Sequence, residues 1–276
     1  MDNIQFLKRK AAEIRMELLT MIYESKTGHT GSSLSITDIL TVLYYHTMKI
    51  DPENPKWEDR DRYVQSKGHA IEAYWAVLAD KGFFPREELK TFSQFNTRLI
   101  GHPNNKVPGV EMNTGSLGHG LSVSVGMALA AKLDGKSYKV YTVMGDGEQA
   151  EGSVWEGAMA AACYKLDNLV AIVDRNKLQI TGKTEDVMSL EPFADKWSAF
   201  GWEVVEVDGN DIEQLVAVFD QAPIVKEKPT LILANTVKGK GISLAENAPN
   251  WHHHVPTEEE YHLAMDELSK QLEVLQ

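Results

Sequence analysis

Cysteine is almost absent from this sequence, since Cys163 is the only one among 276 residues. A single cysteine excludes an intrachain disulfide. Because Cys163 lies among alanines in a predicted helix, we expect it to be a small core residue rather than a nucleophile.

Long apolar runs are also lacking. No stretch is long enough to cross a bilayer. Residues 1–19 contain no uninterrupted apolar core of the signal-peptide type. We therefore expect a cytoplasmic enzyme with no membrane partner.

Positive charge is in short supply, because 28 Lys and Arg face 40 Asp and Glu, for a net charge of −12. Without a basic stripe to neutralise phosphates, a nucleic-acid partner is not expected. Small anionic ligands stay possible, since they need only a local positive potential. The apolar fraction of 43% and charged fraction of 25% are ordinary. We expect one large α/β domain that covers residues 1–276.

The chain is organised around residues 140–181, which read as a strand, a tight turn, a helix and a second strand. Residues 140–144 and 169–173 are short apolar runs typical of buried strands. Residues 149–165 predict a helix whose apolar face contains Val154, Trp155, Ala158, Met159 and Ala162. Such a unit is parallel and right-handed. Ligands bind at the carboxyl ends of its strands.

Two polar residues, Asp146 and Asn176, follow these two strand ends. Gly145 and Gly147 flank the aspartate and let a ligand approach the backbone closely. The next helix offers an amino terminus for an anion, and carboxylate and amide oxygens suit Mg²⁺ that also binds phosphates. The pattern favours a metal-bridged diphosphate. A plain Asp-Gly hairpin turn is the alternative, but a helix follows where a return strand would be needed.

Periodicity and turn residues predict the remaining elements. The predicted helices cover a first segment from residue 4 to an end near residues 25–28, and then residues 35–47, 69–80, 87–91, 118–133, 193–200 and 211–221, with a last helix that begins at a Thr257 capping box. The predicted strands cover residues 62–66, 203–207 and 230–235, and residues 181–184 are predicted to be a loop.

Glycine–histidine pairs are far more frequent than chance allows. Nine histidines and 20 glycines predict well under one such pair, yet four occur. They are Gly28-His29, Gly68-His69, Gly101-His102 and Gly118-His119. Any one of these pairs alone is more typical of a turn residue or a core histidine than of an active-site residue. Together they favour a histidine-lined pocket, since imidazole binds hydroxyls and transfers protons near neutral pH.

These motifs together resemble the transketolase family. Gly145-Asp146-Gly147 followed by Asn176 resembles the thiamine diphosphate fingerprint, and GDGEQAEGSVWEG resembles the amino-terminal half of a transketolase. The resemblance implies a three-layer α/β thiamine diphosphate-binding fold, with a mostly parallel sheet and helices on both faces. It also implies Mg²⁺, with Ca²⁺ or Mn²⁺ as possible substitutes, bound by Asp146, Asn176 and the main-chain oxygen of Leu178.

Three histidine motifs carry further implied roles. GHTG at His29, SKGHA at His69 and GHP at His102 resemble family elements that face the thiazolium, the substrate or the diphosphate. These three histidines are therefore catalytic candidates, and His69 is also a cofactor-binding candidate. The TGSLGHG segment resembles the family loop that implies cofactor contacts from Gly115 and Leu117. His119 stands where many members have Gln, and no role is assigned to it.

The WHHHVP segment departs from the WHGK-P element that it resembles. His252 matches the family histidine and is a catalytic and cofactor-binding candidate. His253 and His254 replace Gly and Lys, so a positive charge that could hold an anionic substrate is missing. A metal site is an alternative, but three consecutive residues do not easily converge on one ion.

Weaker signals concern four charged residues. Glu151 and Glu156 resemble acidic residues that connect the two cofactors of a dimer, and Glu151 is a cofactor-binding candidate; a solvated helix face is the alternative. Lys238 and Lys240 lie in a glycine–lysine loop that could contact phosphate.

A second, pyrimidine-binding domain supplies an essential glutamate in this family, and this chain stops where the diphosphate-binding domain would end. The resemblance therefore implies the amino-terminal subunit of a split transketolase, with a carboxy-terminal partner subunit in an α₂β₂ heterotetramer. Its expected reaction moves a two-carbon ketol unit from a ketose phosphate to an aldose phosphate, as in the pentose phosphate pathway. The alternatives are a subunit that acts on a branched or sulfonated sugar, a 2-oxoacid dehydrogenase or deoxyxylulose-phosphate synthase component, and a non-catalytic subunit.

Overall fold

The computed structural model describes residues 3–180 and 182–275. The strands are β1 (Arg62–Gln65), β2 (Val140–Gly145), β3 (Leu169–Arg175), β4 (Leu178–Gln179), β5 (Gly182–Lys183), β6 (Glu203–Asp208) and β7 (Thr230–Asn235). The α-helices are α1 (Asn3–Ser25), α2 (Thr30–Val42), α3 (Ile71–Asp80), α4 (His119–Leu133), α5 (Gly152–Cys163), α6 (Thr184–Val187), α7 (Phe193–Ala199), α8 (Ile212–Gln221) and α9 (Glu258–Val274). A π-helical turn covers Leu43–Thr47, and 3₁₀ turns cover Arg86–Thr91, Gly147–Ala150 and Pro249–His252.

Five strands form one parallel sheet in the order β1-β2-β3-β7-β6. Val140 pairs with Leu169, and Val170 pairs with Thr230. All five carboxyl ends therefore lie at one edge of the sheet, which is where ligands bind in open α/β folds. The predicted strands of the sheet are confirmed to within one or two residues.

Alternate side chains of the strands enter two separate cores. Tyr141 and Val143 of β2 pack with the helices on one face, whereas Val140 and Met144 belong to the core on the other face. The first core includes residues of α1, α2, α3, α8 and α9, and the second includes residues of α4, α5 and α7. This two-residue alternation is what a sheet covered on both faces requires. The predicted three-layer α/β architecture is confirmed.

Helix α2 begins earlier than the sequence indicates. The prediction placed its start at Ser35, but it begins at Thr30 and ends at Val42, with all of its residues buried. Gly31, Ser32 and Ser33 disfavour helix in isolation, so local propensity hides this turn. Burial on all sides overrides that preference. The backbone then continues through the π-helical turn as far as Thr47.

Helix α5 packs most of its predicted apolar face on the core, with Val154 and Ala158 buried and Trp155 and Ala162 half-buried against it, but the placement of Met159 on that face was wrong. Its buried residues are Val154, Gly157, Ala158 and Ala161, while Met159 is 56% exposed. The predicted helix also started too early, because a 3₁₀ turn ends at Ala150 and α5 begins at Gly152. Cys163, the last residue of α5, is exposed, so its prediction as a core residue was wrong.

Two further segments complete the comparison. The loop prediction for residues 181–184 was wrong, because β5 pairs antiparallel with β4 and α6 begins at Thr184; Thr181 lies outside the described residues. The capping box at α9 is confirmed, with Thr257 and Glu260 bonded reciprocally. Among residues 3–180 and 182–275, no helix combines the length and the apolar character needed to cross a membrane.

Candidate active site

A cavity of about 430 Å³ opens at the carboxyl edge of the sheet. The segments that follow β1, β2, β3 and β7 supply Lys67, Asp146, Asn176 and Lys238 to its wall. The full lining is His29, Ser32, Lys67, His69, Gly115, Leu117, Gly145, Asp146, Gly147, Glu148, Asn176, Leu178, Gln179, Ile180, Lys238, His252 and His253. Strand order therefore brings together residues that lie far apart in the sequence.

Hard oxygen donors occupy one side of this cavity. Asp146 Oδ1 accepts a hydrogen bond from Gly147 N at 2.7 Å, and Oδ2 accepts one from Lys177 N at 2.6 Å. Asn176 Oδ1 accepts from Leu178 N at 3.1 Å, while its Nδ2 donates to Asp174 at 3.0 Å. These bonds fix the orientation of both side chains. Asp146 Oδ1 and Asn176 Oδ1 each keep a second lone pair for a further ligand, whereas Asp146 Oδ2 also accepts a 3.4 Å hydrogen bond from Arg175 Nη1.

The positive charge near Asp146 does not offset the effect of burial on its carboxyl group. It is 2% exposed, and the nearest atom of Arg175, Nη1, lies 3.4 Å from Oδ2. Burial, and then the charge of Asp174, raise the pKa of Asp146 to about 6. A divalent cation would stabilise the ionised form. The carboxylate of Asp146, the amide oxygen of Asn176 and the main-chain oxygen of Leu178 are the donor types that Mg²⁺ takes, so these residues fit the ion.

A buried network behind these donors was not predicted from the sequence. The Lys67 ammonium and the Thr236 hydroxyl both bond to Asp174, and Ser35 Oγ donates to it at 2.7 Å. Burial opposes ionisation of Asp174, but the charge and hydrogen bond of Lys67 outweigh it, so the pKa of Asp174 is lowered. Asp174 in turn holds the Asn176 amide. Its position at the end of β3 was the available signal.

A second buried carboxylate, Glu148, connects the loops around the cavity. It accepts hydrogen bonds from Gly118 N at 2.8 Å and from Gly145 N at 3.0 Å, and the Ser66 hydroxyl also donates to it. The loops after β1 and β2 and the start of α4 are thereby held in fixed relation. Burial raises the pKa of Glu148.

Histidines from separate segments also line the cavity. The His29 ring centroid lies 5.1 Å from that of His69 and 5.7 Å from that of His252, and the His69 and His252 centroids are 5.5 Å apart. His29 precedes α2, and its main-chain N donates to the buried carboxylate of Glu72 at 3.0 Å. Burial of Glu72 raises its pKa to about 7.

These three imidazoles are uncharged at neutral pH. Burial and then the neighbouring His253 lower the pKa of His29 to about 4. Burial and then Lys238 lower the pKa of His252 to about 3. Burial and then Lys67 lower the pKa of His69 well below its usual value. Each neutral ring can accept a proton or hydrogen bond at one nitrogen and donate at the other.

The remaining predicted residues lie in different positions. His102 is outside the cavity wall, but its ring is 6.4 Å from that of His29, and a Cβ on Gly115 would lie 2.8 Å from His102 Cδ2. Glycine at position 115 therefore gives the histidine room. Gly145, Gly147 and Leu117 line the cavity, and their predicted cofactor contacts stay predictions. Glu151, Glu156 and His119 are exposed and are not among the lining residues, so the predicted cofactor contact of Glu151 stays a prediction.

The loop after β7 places one of its two lysines in the cavity. Lys238 is buried, and its Nζ lies 2.9 Å from His252 Nδ1 and 3.4 Å from Leu178 O. Burial and then Lys67 lower the pKa of Lys238 to about 8. Lys240 points away and pairs with Glu246 at 3.5 Å. Of the two lysines that could contact phosphate, only Lys238 lines the cavity.

Gly239 is required for this loop conformation. Its φ is +81°, and an added Cβ would lie 2.1 Å from the main-chain oxygen of Ala245. We expect Gly239→Ala to lower the free energy of unfolding by about 1–3 kcal/mol more than a matched glycine substitution. Gly135→Ala is that control, since its φ is +64° but an added Cβ has open space. Urea unfolding of both variants measures the difference, and equal losses would contradict a steric role for Gly239.

Comparisons with known proteins agree with this geometry. Residues 7–270 match the family described as "Transketolase, thiamine diphosphate binding domain". The chain is 50% identical over 274 residues to one of the subunits of the apulose-4-phosphate transketolase of Phocaeicola vulgatus, covering 99% of this chain and 98% of that protein. It is 46% identical over 266 residues to the SqwG subunit of the 6-deoxy-6-sulfo-D-fructose transketolase of a Clostridium species, covering 96% of this chain and 97% of that one.

The solved transketolase of Leishmania mexicana has the same fold. Its TM-score is 0.86 at 28% identity, and the match covers all of this chain but only 46% of that one. The chain therefore spans less than half the length of this solved transketolase, whereas it spans nearly the full length of the Phocaeicola and Clostridium subunits.

Proposed function

The chain belongs to the transketolase family as a thiamine diphosphate-binding domain, and we propose that it is the amino-terminal subunit of a two-chain transketolase. The complete enzyme would transfer a two-carbon ketol unit from an anionic ketose to an aldose phosphate. The observation that carries this proposal is the single cavity in which Asp146, Asn176 and the Leu178 main-chain oxygen face His29, His69 and His252.

The cofactor of the proposed reaction is thiamine diphosphate with Mg²⁺. Asp146, Asn176 and the Leu178 main-chain oxygen would hold the metal, because they are hard oxygen donors on one wall. The Lys238 side chain supplies positive charge for the diphosphate. Gly115, Leu117, Gly145 and Gly147 would contact the rest of the cofactor. When bound, thiamine diphosphate supplies the nucleophilic carbon that accepts the two-carbon unit.

The histidines supply hydrogen bonds and proton transfer. His29, His69 and His252 line the cavity as neutral rings, so each donates to one sugar oxygen and accepts from another. The ring of His102 lies 6.4 Å from that of His29, next to this set. A neutral ring can remove a proton from a ketose hydroxyl and return it to the product, as general acid–base catalysis requires.

A second subunit is part of the proposal. The relatives from Phocaeicola vulgatus and the Clostridium species are each named as one subunit of an enzyme. The carboxy-terminal partner would contribute the pyrimidine-binding domain and its glutamate, and we propose an α₂β₂ assembly. One domain over residues 1–276 is likewise proposed for this chain.

The proposed donor is apulose 4-phosphate, with a sulfonated ketose as the second choice. The basis is the 50% and 46% identity to subunits with those substrates in their names. His253 and His254 stand where the resembled family element has Gly and Lys, which is consistent with an unusual sugar. A role in the pentose phosphate pathway would require activity on xylulose 5-phosphate instead.

A ketol-transfer assay tests the proposed function. This chain, its partner from the neighbouring reading frame, and their mixture are each given thiamine diphosphate, Mg²⁺, an acceptor aldose phosphate and one donor. The donors are apulose 4-phosphate, 6-deoxy-6-sulfofructose and xylulose 5-phosphate. We expect turnover only in the mixture and with apulose 4-phosphate as the best donor.

Each other outcome has a definite meaning. Activity of this chain alone would contradict the split enzyme. Preference for xylulose 5-phosphate would replace the proposed donor and favour the pentose phosphate pathway. A complex that binds the cofactor but turns over none of the donors would support a non-catalytic subunit.

A further inference from the structure

Three imidazoles from two separate segments converge on the open side of the cavity. His29 precedes α2, His252 ends the 3₁₀ turn before α9, and His253 follows it. One ring nitrogen of each lies within 4.8 Å of those of the other two. The ring centroids of His29 and His253 are 4.3 Å apart, and those of His252 and His253 are 4.5 Å apart.

This spacing is close to that of a metal centre. Zinc–nitrogen bonds of about 2.0–2.1 Å in a tetrahedral site place the nitrogen atoms about 3.4 Å from one another. His253 is exposed, so its side chain has room to rotate and shorten the separation. Imidazole nitrogens favour Zn²⁺, Co²⁺, Ni²⁺ and Cu²⁺, whereas Mg²⁺ takes oxygen donors.

The charges around the cluster have opposite signs. Lys67 and Lys238 are positive, and Asp146 and Asp174 are negative, all near the same cavity. His252 Nδ1 already contacts Lys238 Nζ at 2.9 Å, which leaves Nε2 for a metal. Binding through Nε2 requires the ring proton to be on Nδ1. Lys238, an ammonium in the metal-free site, then releases one proton to solvent, and its neutral amine accepts a hydrogen bond from Nδ1–H.

We propose that His29, His252 and His253 form a binding site for a transition-metal dication, with Zn²⁺ as the leading candidate. The site is distinct from the oxygen donors Asp146 and Asn176 and is completed by a water molecule in the fourth position. A bound zinc ion occupies His29 and His252, so it inhibits any sugar chemistry that needs them. That inhibition, unlike the metal binding itself, rests on the proposed function.

Zinc affinity of the purified full chain tests this site. The assay uses competition with a chromophoric zinc chelator, without thiamine diphosphate, sugar or partner subunit. We expect one zinc ion per wild-type chain. His253→Gly should weaken binding at least about 100-fold, since loss of a ligand exceeds the 10–100-fold effect of a supporting residue. Co²⁺ should give intense visible absorption bands in the wild type and not in His253→Gly.

The matched control is His254→Lys. His254 belongs to the same histidine triplet but bonds to Glu260 Oε2 at 2.8 Å and lies outside the cluster. It should keep wild-type zinc affinity, and circular dichroism checks the fold of both variants. The site is overturned if the wild type binds no zinc, if His253→Gly binds it equally well, or if His254→Lys loses as much affinity. None of these results depends on the ketol-transfer assay, so the two proposals fail separately.

Discussion

An Asp146→Ala variant should lose Mg²⁺-dependent binding of thiamine diphosphate. The carboxylate is the only charged member of the proposed oxygen donors, and it is 2% exposed. Removal of it leaves Asn176 and the Leu178 carbonyl, two neutral oxygens that hold a divalent cation poorly. We expect the dissociation constant for the cofactor with Mg²⁺ to rise at least about 100-fold. Isothermal titration calorimetry on the chain and on the reconstituted pair measures it.

Two comparisons separate metal binding from structural damage. Asp146 also accepts hydrogen bonds from Gly147 N and Lys177 N, so Asp146→Ala can disturb the turn. Asp146→Asn keeps the shape and one acceptor oxygen, and it should still lose most of the Mg²⁺ dependence. Asp134→Ala, at an exposed position after α4, should bind the cofactor as the wild type does. Unchanged cofactor affinity in both Asp146 variants would contradict the assignment of the metal site.

The fold was predictable to the extent that side-chain periodicity follows burial. The apolar runs of β2 and β3 are buried on both faces, so they predict parallel strands directly. Helix α2 shows where this logic fails. Its first turn is rich in small polar residues that are poor helix formers, and only the surrounding helices and sheet make helix the best conformation there. The start of α5 was predicted too early because Gly147–Ala150 forms a separate 3₁₀ turn before the helix.

Part of the site was predictable from strand ends alone. Asp146 and Asn176 follow adjacent parallel strands, so their proximity follows from the sheet. The contact of Lys67 with Asp174 could not be foreseen, because it joins segments after β1 and β3, between which β2 lies. Spacing along the chain carries no information on such a pair.

The histidines also show that a sequence pattern does not specify which residues line the cavity. The excess of glycine–histidine pairs indicated a pocket, and His29 and His69 do line one, but His119 has the same pattern and is exposed outside it. A glycine neighbour gives a histidine freedom without specifying its direction. The sequence of the histidine triplet disfavours a metal site, because three consecutive residues do not easily converge on one ion. In the structure, the cluster consists of His252 and His253 with His29 from a distant segment, and His254 lies outside it.

His69→Ala should lower turnover by about 10²–10⁴-fold in the reconstituted enzyme, the range typical of a lost general acid or base. The His69 ring centroid lies 5.1 Å from that of His29, and burial and then Lys67 lower the pKa of His69, which favours the neutral ring at neutral pH. A neutral ring at this place can both remove and return a proton. Steady-state kinetics with the best donor measures kcat and KM, and calorimetry measures cofactor affinity.

Comparing the change in kcat with the change in the dissociation constant for thiamine diphosphate distinguishes a role in proton transfer from a role in cofactor binding. The oxygen donors that would hold the metal diphosphate do not include His69, so the dissociation constant for thiamine diphosphate should change less than about 10-fold, the lower limit for loss of a supporting metal-site residue. His119→Ala is the matched control, because His119 also follows a glycine but is exposed outside the cavity, and its kcat should equal that of the wild type. If His69→Ala lowers cofactor affinity as much as it lowers kcat, His69 binds the cofactor and the proton-transfer role belongs to another of the cavity histidines.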